Sequence, residues 1–567
     1  MTTAHAQEVP RPFTPPSVLQ GSPLPGIVQP EQPTLAPGLP RPARPTAPES
    51  VTGGATHAIS NVVINGATAF PQSQIAALTQ GLTGPSVPEA QIEASRAAIV
   101  DLYRSQGYAF TTVQATVQRN EVRFQVIEGY VADVKLDGDI GPAGTQVLRF
   151  LRHLVGQTPL NTAELERWLL LAQDIPGLTV KSVLNPSEGD PGALTLVAQV
   201  SRRPFTGYIS ADNRAFDLIG PKQGLGVFNA NSFTEYGEQT QLSLYGALNG
   251  ANFFGQVSEE LFVGGSGLKF RLYGGGGRSS PRGVLQQIGY TGRTDIFGGS
   301  FAYPVIRSRA QSLVMSLAFD ALENNTQNNL NQFGTPQRSS FDSLRVFRLG
   351  EDYAMLDTWL GADRTGINSF SAKLSQGVSA LGASSNNDTW TPPPRLGETI
   401  TFTKISGETS RTQTLFRPFA DASVALAGRV GWQYSAVLLP PAEKFYLGGP
   451  QFNRGYYYGQ VSGDSAVTAA VELQLNARLP TPKPIPFEVQ SQFYLFYDWG
   501  QAWQNTSLEA DVVLRSWGGG VRFFLSSATE IDFEGVYRQN RYPNGGQGTG
   551  ISPLSSAAFY WQLLQRF

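Results

Sequence analysis

The sequence contains no cysteine and only three histidines, His5, His57 and His153. The absence of cysteine excludes disulfide scaffolds, cysteine nucleophiles and thiolate metal sites. Because the histidines lie far apart in the chain, we expect no histidine-based metal or catalytic centre. The sequence also lacks a G-x-x-x-x-G-K-[ST] phosphate loop and a G-x-S-x-G nucleophile elbow. We therefore expect a protein that is not an enzyme and that has no cofactor and no metal.

Charged residues are scarce too, at 15% of the chain, and the formal net charge is −2. Soluble proteins carry about 25% charged residues, and nucleic-acid-binding proteins usually present a basic surface, so no nucleic-acid partner is expected. The chain has no apolar run of the roughly 18 residues that a membrane-spanning helix needs. It is nevertheless rich in glycine (61 residues) and in aromatic residues (11%). This combination is typical of a transmembrane β-barrel, whose strands alternate lipid-facing and lumen-facing residues.

Proline dominates the first segment of the chain. Residues 1–50 hold 13 of the 39 prolines and show no apolar periodicity, which favours polyproline II and cannot pack a core. We interpret residues 1–55 as a flexible periplasmic tail or linker and expect no plug helix among its prolines. Ala4-His5-Ala6 has the form of a signal-peptidase site without the charged and apolar regions that precede one, so we expect a truncated export signal.

Residues 56–129 and 130–203 are predicted to form two small units with the same order of elements: a strand, two helices and two strands. In the first unit, one strand over 59–64 is expected to precede the helices. In the second unit, Asn161 and Glu164 have the spacing of a helix capping box. The repeated order predicts a tandem module.

From residue 204 to residue 567, apolar and polar residues alternate with period two, the pattern of half-buried strands. In 466–479, for example, apolar residues occupy every odd position and polar residues most even positions. A lysine or arginine on the lipid face costs about 2–4 kcal/mol near the bilayer centre, so the charged faces are expected to line the lumen. The region predicts a transmembrane antiparallel β-barrel of about 16 strands. Long polar loops are expected at 323–340 and 381–398.

Glycine and tyrosine are concentrated around one arginine, Arg454, in a segment of residues 447–464 between two predicted strands. In a barrel, such a loop can fold back into the lumen. Alternation along 489–499 places Asp498 on the inner face, where Arg454 could meet it. An ion pair between wet surfaces contributes only about 0–1 kcal/mol. We therefore expect its main effect to be geometric, because a planar guanidinium can bond a carboxylate through two hydrogen bonds.

These two elements resemble the transporter component of two-partner secretion, the TpsB family, which shares a superfamily with the barrel-assembly proteins. The family has an R-G-Y/F element in a loop that re-enters the barrel and a D-x-G element on a neighbouring strand. The matching residues here are Arg454, Gly455 and Tyr456 in the loop, with the loop glycines Gly448 and Gly449 before them, and Phe496, Asp498 and Gly500 on the strand. Asn453 stands where the family usually has valine, which loosens the local match.

The resemblance covers residues 56–567 and implies two periplasmic POTRA domains before an outer-membrane barrel. It also implies a transporter that recognises a large unfolded exoprotein in the periplasm and passes it through the barrel to the cell surface. A barrel insertase of the same superfamily is the alternative, although insertases carry more POTRA units. The terminal aromatic residue, Phe567, resembles the signal by which barrels are recognised for insertion. The barrel-assembly machinery, the outer-membrane lipids and the exoprotein are the expected partners.

Overall fold

The computed structural model describes residues 55–330, 334–385, 393–419, 421–479, 489–543 and 553–567. It contains two small α/β units followed by a closed antiparallel barrel of 16 strands, which confirms the predicted fold class. Within these ranges, no helix has both the length and the apolar character needed to cross a membrane. The predicted proline-rich tail, and with it the expectation of no plug helix, lies outside the described residues except for residue 55.

The first unit contains more strands than the sequence predicted. Its elements are β1 (Thr56–Ile59), β2 (Asn61–Asn65), α1 (Gln72–Ala77), β3 (Gly84–Pro88), α2 (Glu89–Ser105), β4 (Thr112–Gln118) and β5 (Glu121–Ile127). The single strand predicted over 59–64 is wrong, because the chain bends at Ser60 and passes from the β1–β3 pair into the β2-β5-β4 sheet. Strand β3 was missed because its two prolines argue against a strand.

The second unit has the predicted order. Its elements are β6 (Tyr130–Asp137), α3 (Gly144–Leu151), α4 (Thr162–Gln173), β7 (Leu178–Pro186) and β8 (Ala193–Arg202), with the sheet order β6-β8-β7. Only half of the capping box forms at the start of α4. The side chain of Asn161 accepts from the Ala163 amide at 2.8 Å, whereas Glu164 accepts from the Trp168 indole at 3.1 Å.

A buried carboxylate, Glu128, closes the first unit where it meets the second. It accepts hydrogen bonds from the amides of Thr68 and Ala69, at 2.7 and 3.0 Å, and from the Tyr103 hydroxyl at 2.6 Å. Burial opposes ionisation of this carboxyl, but the hydrogen bonds outweigh it and hold the pKa of Glu128 below its ordinary value. The end of the first unit is therefore tied to its own loop by a charged acceptor.

The barrel closes by pairing its first strand with its last. The wall strands are β9 (Phe205–Asp212), β10 (Gln223–Asn231), β11 (Gln239–Ala247), β12 (Asn252–Phe262), β13 (Lys269–Ser279), β14 (Thr291–Arg307), β15 (Gln311–Asn328), β16 (Gln337–Asp357), β17 (Gly366–Gly377), β18 (Thr403–Phe416), β19 (Ala422–Ser435), β22 (Ser465–Leu479), β23 (Val489–Trp503), β24 (Val512–Phe524), β25 (Thr529–Arg538) and β26 (Ala557–Arg566). A further pair, β20 (Phe445–Leu447) and β21 (Val461–Gly463), lies inside the β19–β22 connection. A short helix, α5 (Val284–Gln287), lies between β13 and β14.

One predicted loop is largely strand. Residues 323–328 belong to β15 and residues 337–340 to β16, so the long loop predicted over 323–340 is shortened to the connection between them. The segment is polar at nearly every position and shows no alternation, a pattern that predicts a loop although the backbone pairs as strands. The segment predicted as a loop over 381–398 contains no strand among its described residues.

The second unit packs against the barrel at one end. Phe262, the last residue of β12, lies in the core of the second unit with its ring 5.2 Å from that of Phe150. Arg307, the last residue of β14, donates two hydrogen bonds to Asp174 at 2.6 and 2.7 Å. The long β19–β22 connection, residues 436–464, begins and ends at the opposite end of the barrel.

Candidate functional site

The β19–β22 connection folds back against the inner wall of the barrel. Near its start, Glu443 is bonded by Arg348 of β16 at 2.6 Å and by Lys404 of β18 at 2.8 Å. It then forms the β20–β21 pair, and the loop glycines Gly448 and Gly449 follow β20 with φ of +104° and +124°. We call residues 436–464 the re-entrant loop.

Arg454 lies at the tip of the re-entrant loop and contacts Asp498 of β23. Its Nε and Nη2 atoms donate to the two carboxylate oxygens of Asp498 at 3.1 and 2.9 Å, and its backbone amide donates to the same carboxylate at 2.7 Å. The side chains are 5% and 0% exposed. The structure thus brings together the two residues that the sequence paired, but in a buried site instead of between wet surfaces.

A second arginine and further carboxylates extend this contact into a network. Arg454 also pairs with Glu472 of β22 through its Nη1 atom. Arg522 of β24 donates to the other oxygen of Glu472 at 2.8 Å. Asp532 of β25 lies 3.6 Å from the same guanidinium. Two guanidinium groups and three carboxylates therefore form one connected network, and such pairing is the condition under which buried charges are tolerated.

The aromatic residue predicted on this wall contacts the arginine directly. The guanidinium of Arg454 lies 3.7 Å from the ring centroid of Phe496 on β23. The neighbouring ring of Tyr494 lies 3.9 Å from the guanidinium of Arg522. Stacked guanidinium groups keep their plane fixed, so these rings help to orient both arginines.

Two glycines allow the loop to approach the wall. A Cβ atom on Gly500 would lie 2.4 Å from the side-chain oxygen of Asn453, and one on Gly455 would lie 2.5 Å from the Cβ of Ser516. The Gly455 amide donates to the Ser516 hydroxyl at 3.1 Å. Beyond it, the hydroxyl of Tyr456 donates to a backbone carbonyl of β24 at 3.0 Å. Larger residues at the two glycine positions would force the loop away from β23 and β24.

Asn453 has a specific backbone role. Its φ is +54°, in the left-handed region that asparagine tolerates and that β-branched residues avoid. Its side-chain oxygen accepts from the Thr468 hydroxyl at 3.2 Å. The departure from the usual valine is therefore compatible with the observed turn.

Arg214 is a part of the site that sequence reasoning missed. It follows β9, donates to the Arg454 carbonyl at 2.6 Å and pairs with Glu534 of β25 at 2.8 Å. Its guanidinium lies 3.9 Å from the ring centroid of Tyr560 on β26. Alternation marks Glu534, like Glu472 and Arg522, as an inward-facing charge near β23, and this pattern could have identified these three residues as parts of the site. Nothing marked Arg214, because it lies in a connection without periodicity.

Phe567, the predicted insertion signal, lies at the barrel seam. Its backbone exchanges two hydrogen bonds with Gly207 of β9, at 3.0 and 3.1 Å. Phe567 as a whole is 57% exposed, and its ring lies 5.8 Å from that of Phe228 on β10. The terminal aromatic side chain is therefore accessible on the outer surface.

The arrangement is suited to holding a loop. Arg454 and the charged residues around it are all paired with one another, and the neighbouring rings and glycines fix the position of the re-entrant loop. Among the described residues, no cluster of three or more histidine, aspartate or glutamate side chains could hold a metal ion.

Matches to known proteins cover most of the chain. The family model for the haemolysin secretion/activation protein ShlB/FhaC/HecB matches residues 195–523. The model of the ShlB-type POTRA domain matches residues 57–129. The heme/hemopexin transporter protein HuxB of Haemophilus influenzae (strain 86-028NP) is 21% identical over 475 residues, which are 79% of this chain and 78% of that protein.

Solved structures share the fold. CdiB from Escherichia coli has a TM-score of 0.69 at 16% identity, over 92% of this chain and 93% of that chain. CdiB from Acinetobacter baumannii has a TM-score of 0.61 at 14% identity, over 91% of each chain. BamA from Haemophilus ducreyi lacking POTRA domains 1–3 has a TM-score of 0.50 at 14% identity, over 90% of this chain and 100% of that chain.

Proposed function

The chain belongs to the family of haemolysin secretion/activation proteins, and from that membership we propose how its parts carry out transport. It is an outer-membrane transporter of two-partner secretion, and its N-terminal units lie in the periplasm. The family transports a secreted exoprotein partner. For this chain we assign capture of the unfolded partner to residues 56–129 and 130–203. Its passage is assigned to the barrel of residues 204–567, in which the re-entrant loop controls the way through.

The position of the re-entrant loop is the observation that carries this proposal. The loop touches β16 and β18 through Glu443 and reaches β23 through Arg454. A polypeptide that passes along the lumen must therefore share it with this loop or displace it. The loop is the part of the barrel best placed to decide whether the lumen is open.

The Arg454–Asp498 contact sets where the loop lies. Breaking a buried pair by removing one partner costs about 3–5 kcal/mol, because the remaining charge is left unpaired away from water. The loop can avoid this cost by leaving its site, because water then solvates the unpaired charge. The contact therefore holds the loop in one position while it is intact.

The periplasmic units supply edges for capture. The sheet orders leave β2 and β4 at the edges of the three-stranded sheet of the first unit, and β6 and β7 at the edges of the sheet of the second. An extended polypeptide can add to such an edge through main-chain hydrogen bonds, which do not depend on its sequence. This mode suits an unfolded partner. The chain has no phosphate-binding loop, so we infer that folding of the partner outside the cell draws it forward.

Secretion by site variants tests the proposed function. The gene beside this one is expected to encode a very large β-helical exoprotein with its own signal peptide, and the two are expressed together. Arg454→Ala and Asp498→Ala variants that insert normally are expected to release much less exoprotein than the wild type. The exposed pair Arg293–Asp295 provides the control, with Asp295→Ala expected to secrete normally. Full secretion by both site variants would overturn the role of the loop contact.

Insertion of the barrel is assigned to its C-terminal end. The exposed ring of Phe567 is accessible to the barrel-assembly machinery, and the apolar outer faces of the strands contact the outer-membrane lipids. Phe567→Ala is expected to reduce the amount of folded barrel in the membrane without changing the activity per inserted molecule. A normal level of inserted Phe567→Ala protein would contradict this assignment.

A further inference from the structure

A second group of buried charges lies at the extracellular mouth of the barrel. It consists of Arg395 in the β17–β18 connection, Lys444 and Asp464 near the two ends of the re-entrant loop, and Glu509 in the β23–β24 connection. We call these four residues the mouth clasp. Their side chains are between 0% and 13% exposed.

Arg395 is the centre of the mouth clasp. Its Nη1 atom donates to Asp464 at 2.6 Å and to the Leu439 carbonyl at 2.6 Å, and its Nε atom donates to Glu509 at 2.6 Å. The second oxygen of Glu509 accepts from Lys444 at 2.7 Å. One guanidinium thus bonds the start of the re-entrant loop, its end and the β23–β24 connection.

Asp464, at the end of the re-entrant loop, bonds the β17–β18 connection, the start of the loop and the β23–β24 connection. Besides the guanidinium, it accepts from the Leu439 amide at 2.9 Å and from the Asn505 amide at 2.8 Å. Its carboxylate is therefore held by Arg395, by the start of the re-entrant loop and by the β23–β24 connection. Three consecutive connections at one end of the barrel are drawn together by two opposite charges.

The mouth clasp is separate from the lumenal site. Arg454 has Asp498 and Glu472 as its ion-pair partners, and neither bonds a clasp residue in the described part of the chain. The tip of the re-entrant loop and its two ends are therefore held by different groups. Either attachment can be removed while the other keeps its own partners.

We propose that Arg395 is a positioning residue that holds the extracellular mouth closed, and that the mouth clasp opens when a polypeptide leaves. The role of the mouth clasp in transport rests on the proposed function, whereas its role in closing the mouth does not. Apolar contacts between three connections would be as stable as this cluster. Charged groups add a different property. Each group regains its hydration once water enters the cluster, so opening one pair favours opening the next.

Ionic conductance of the purified full-length chain in planar lipid bilayers tests the closure without any exoprotein. Arg395→Gln and Asp464→Asn are expected to raise the fraction of time in conducting states several-fold over the wild type. Arg395→Lys is expected to restore only part of the closure, because an ammonium lacks the planar fork that bonds several acceptors. A purely structural role would leave the conductance of correctly inserted variants unchanged, and that result overturns the proposal.

Two further variants show whether a change in conductance comes from misfolding. Arg293→Gln removes an arginine from an exposed pair, with side chains 69% and 45% exposed, and is expected to conduct like the wild type. Glu509→Gln removes the carboxylate that serves both cations and keeps the side-chain shape. It is expected to increase conductance less than Arg395→Gln. If Arg395→Gln fails to insert, wild-type conductance in Glu509→Gln overturns the proposal.

Cross-linking tests whether the clasp must open. Because the chain has no cysteine, Arg395→Cys combined with Asp464→Cys introduces the only two thiols. A bifunctional maleimide is expected to return the double variant to low conductance and, in cells that also make the exoprotein, to stop its release. Release at an undiminished rate after complete cross-linking overturns the opening step. A wild type that exports nothing, with the conductance results intact, points instead to failure of the proposed function.

Discussion

The re-entrant loop and the second periplasmic unit are both joined to the barrel by arginine–carboxylate pairs, yet the two junctions differ in their contact with water. In the lumen, the side chains of Arg454 and Asp498 are 5% and 0% exposed. At the periplasmic junction, those of Arg307 and Asp174 are 6% and 26% exposed. The loop buries Tyr456 in a cluster with Leu514 of the wall, and the unit buries Phe262 in its own core, so the exposure of the charged pairs is what separates the two junctions.

The difference teaches what each junction can do. A fully buried pair is stable only when complete, so the loop is either held firmly or released. A junction whose charged pairs are partly exposed to water loses stability gradually as contacts are removed. The lumenal site is therefore suited to switching and the periplasmic junction to permanent attachment.

The largest effect is expected for Asp498→Ala. It leaves Arg454 to share Glu472 with Arg522, and it costs the bound position of the loop about 3–5 kcal/mol. Limited trypsin digestion of intact barrels is expected to cut after Arg454 in the variant and not in the wild type. Asp295→Ala, at an exposed pair, serves as the control. Continued protection of Arg454 would remove the basis for a switch.

A slightly smaller effect is expected for Phe262→Ala at the periplasmic junction. Removing a buried aromatic side chain costs about 3 kcal/mol or somewhat more. Hydrogen exchange is expected to rise in α3, which carries Phe150, and to stay unchanged in the re-entrant loop. Phe228→Ala, on the exposed outer face, is the matched control. Unchanged exchange in α3 would show that the aromatic anchor does not hold the unit.

Arg307→Ala is expected to have a moderate effect. The two hydrogen bonds to Asp174 are charge-assisted, and their loss costs about 2 kcal/mol. Asp174 retains access to water, so no buried charge is left behind. The same exchange measurement is expected to show a smaller rise than Phe262→Ala produces. A loss as large as that of Asp498→Ala would erase the contrast between the two junctions.

The smallest effect is expected for Arg149→Ala at the edge of the periplasmic junction. Its pair with Glu235 is 2.7 Å long, but the side chains are 31% and 45% exposed. Such pairs contribute about 1 kcal/mol or less and weaken with salt. The difference from the wild type in α3 exchange is expected to be small and to disappear at high salt. A salt-independent difference would mean that packing, not charge, is lost.

Alternation was sufficient to predict the barrel and one half of its site. Leu495 and Tyr497 are 66% and 46% exposed, while Phe496 between them and Asp498 after them are 5% and 0% exposed. The period of two that marks a strand also assigns each side chain to a face, so Asp498 could be placed in the lumen from sequence.

The rest depends on contacts between distant segments. Arg214 and Arg395 lie in connections, where no periodic pattern indicates direction. Arg214 reaches Glu534 only because closure of the barrel brings β9 beside β26. The depth of burial of Arg454 was likewise not visible, since it depends on how closely the loop approaches Gly500 of β23 and Ser516 of β24.

The backbone of Asn453 also bears on whether the re-entrant loop is strained in its inserted position. It is the one residue other than glycine with positive φ between positions 436 and 464, all of which the structure describes. Asparagine accepts this conformation at little cost, whereas valine there would be strained. The inserted loop is thus not strained at this turn and stores no energy there that could drive its release. Work to withdraw it has to be done on the loop from outside, by a passing polypeptide or by movement of the mouth.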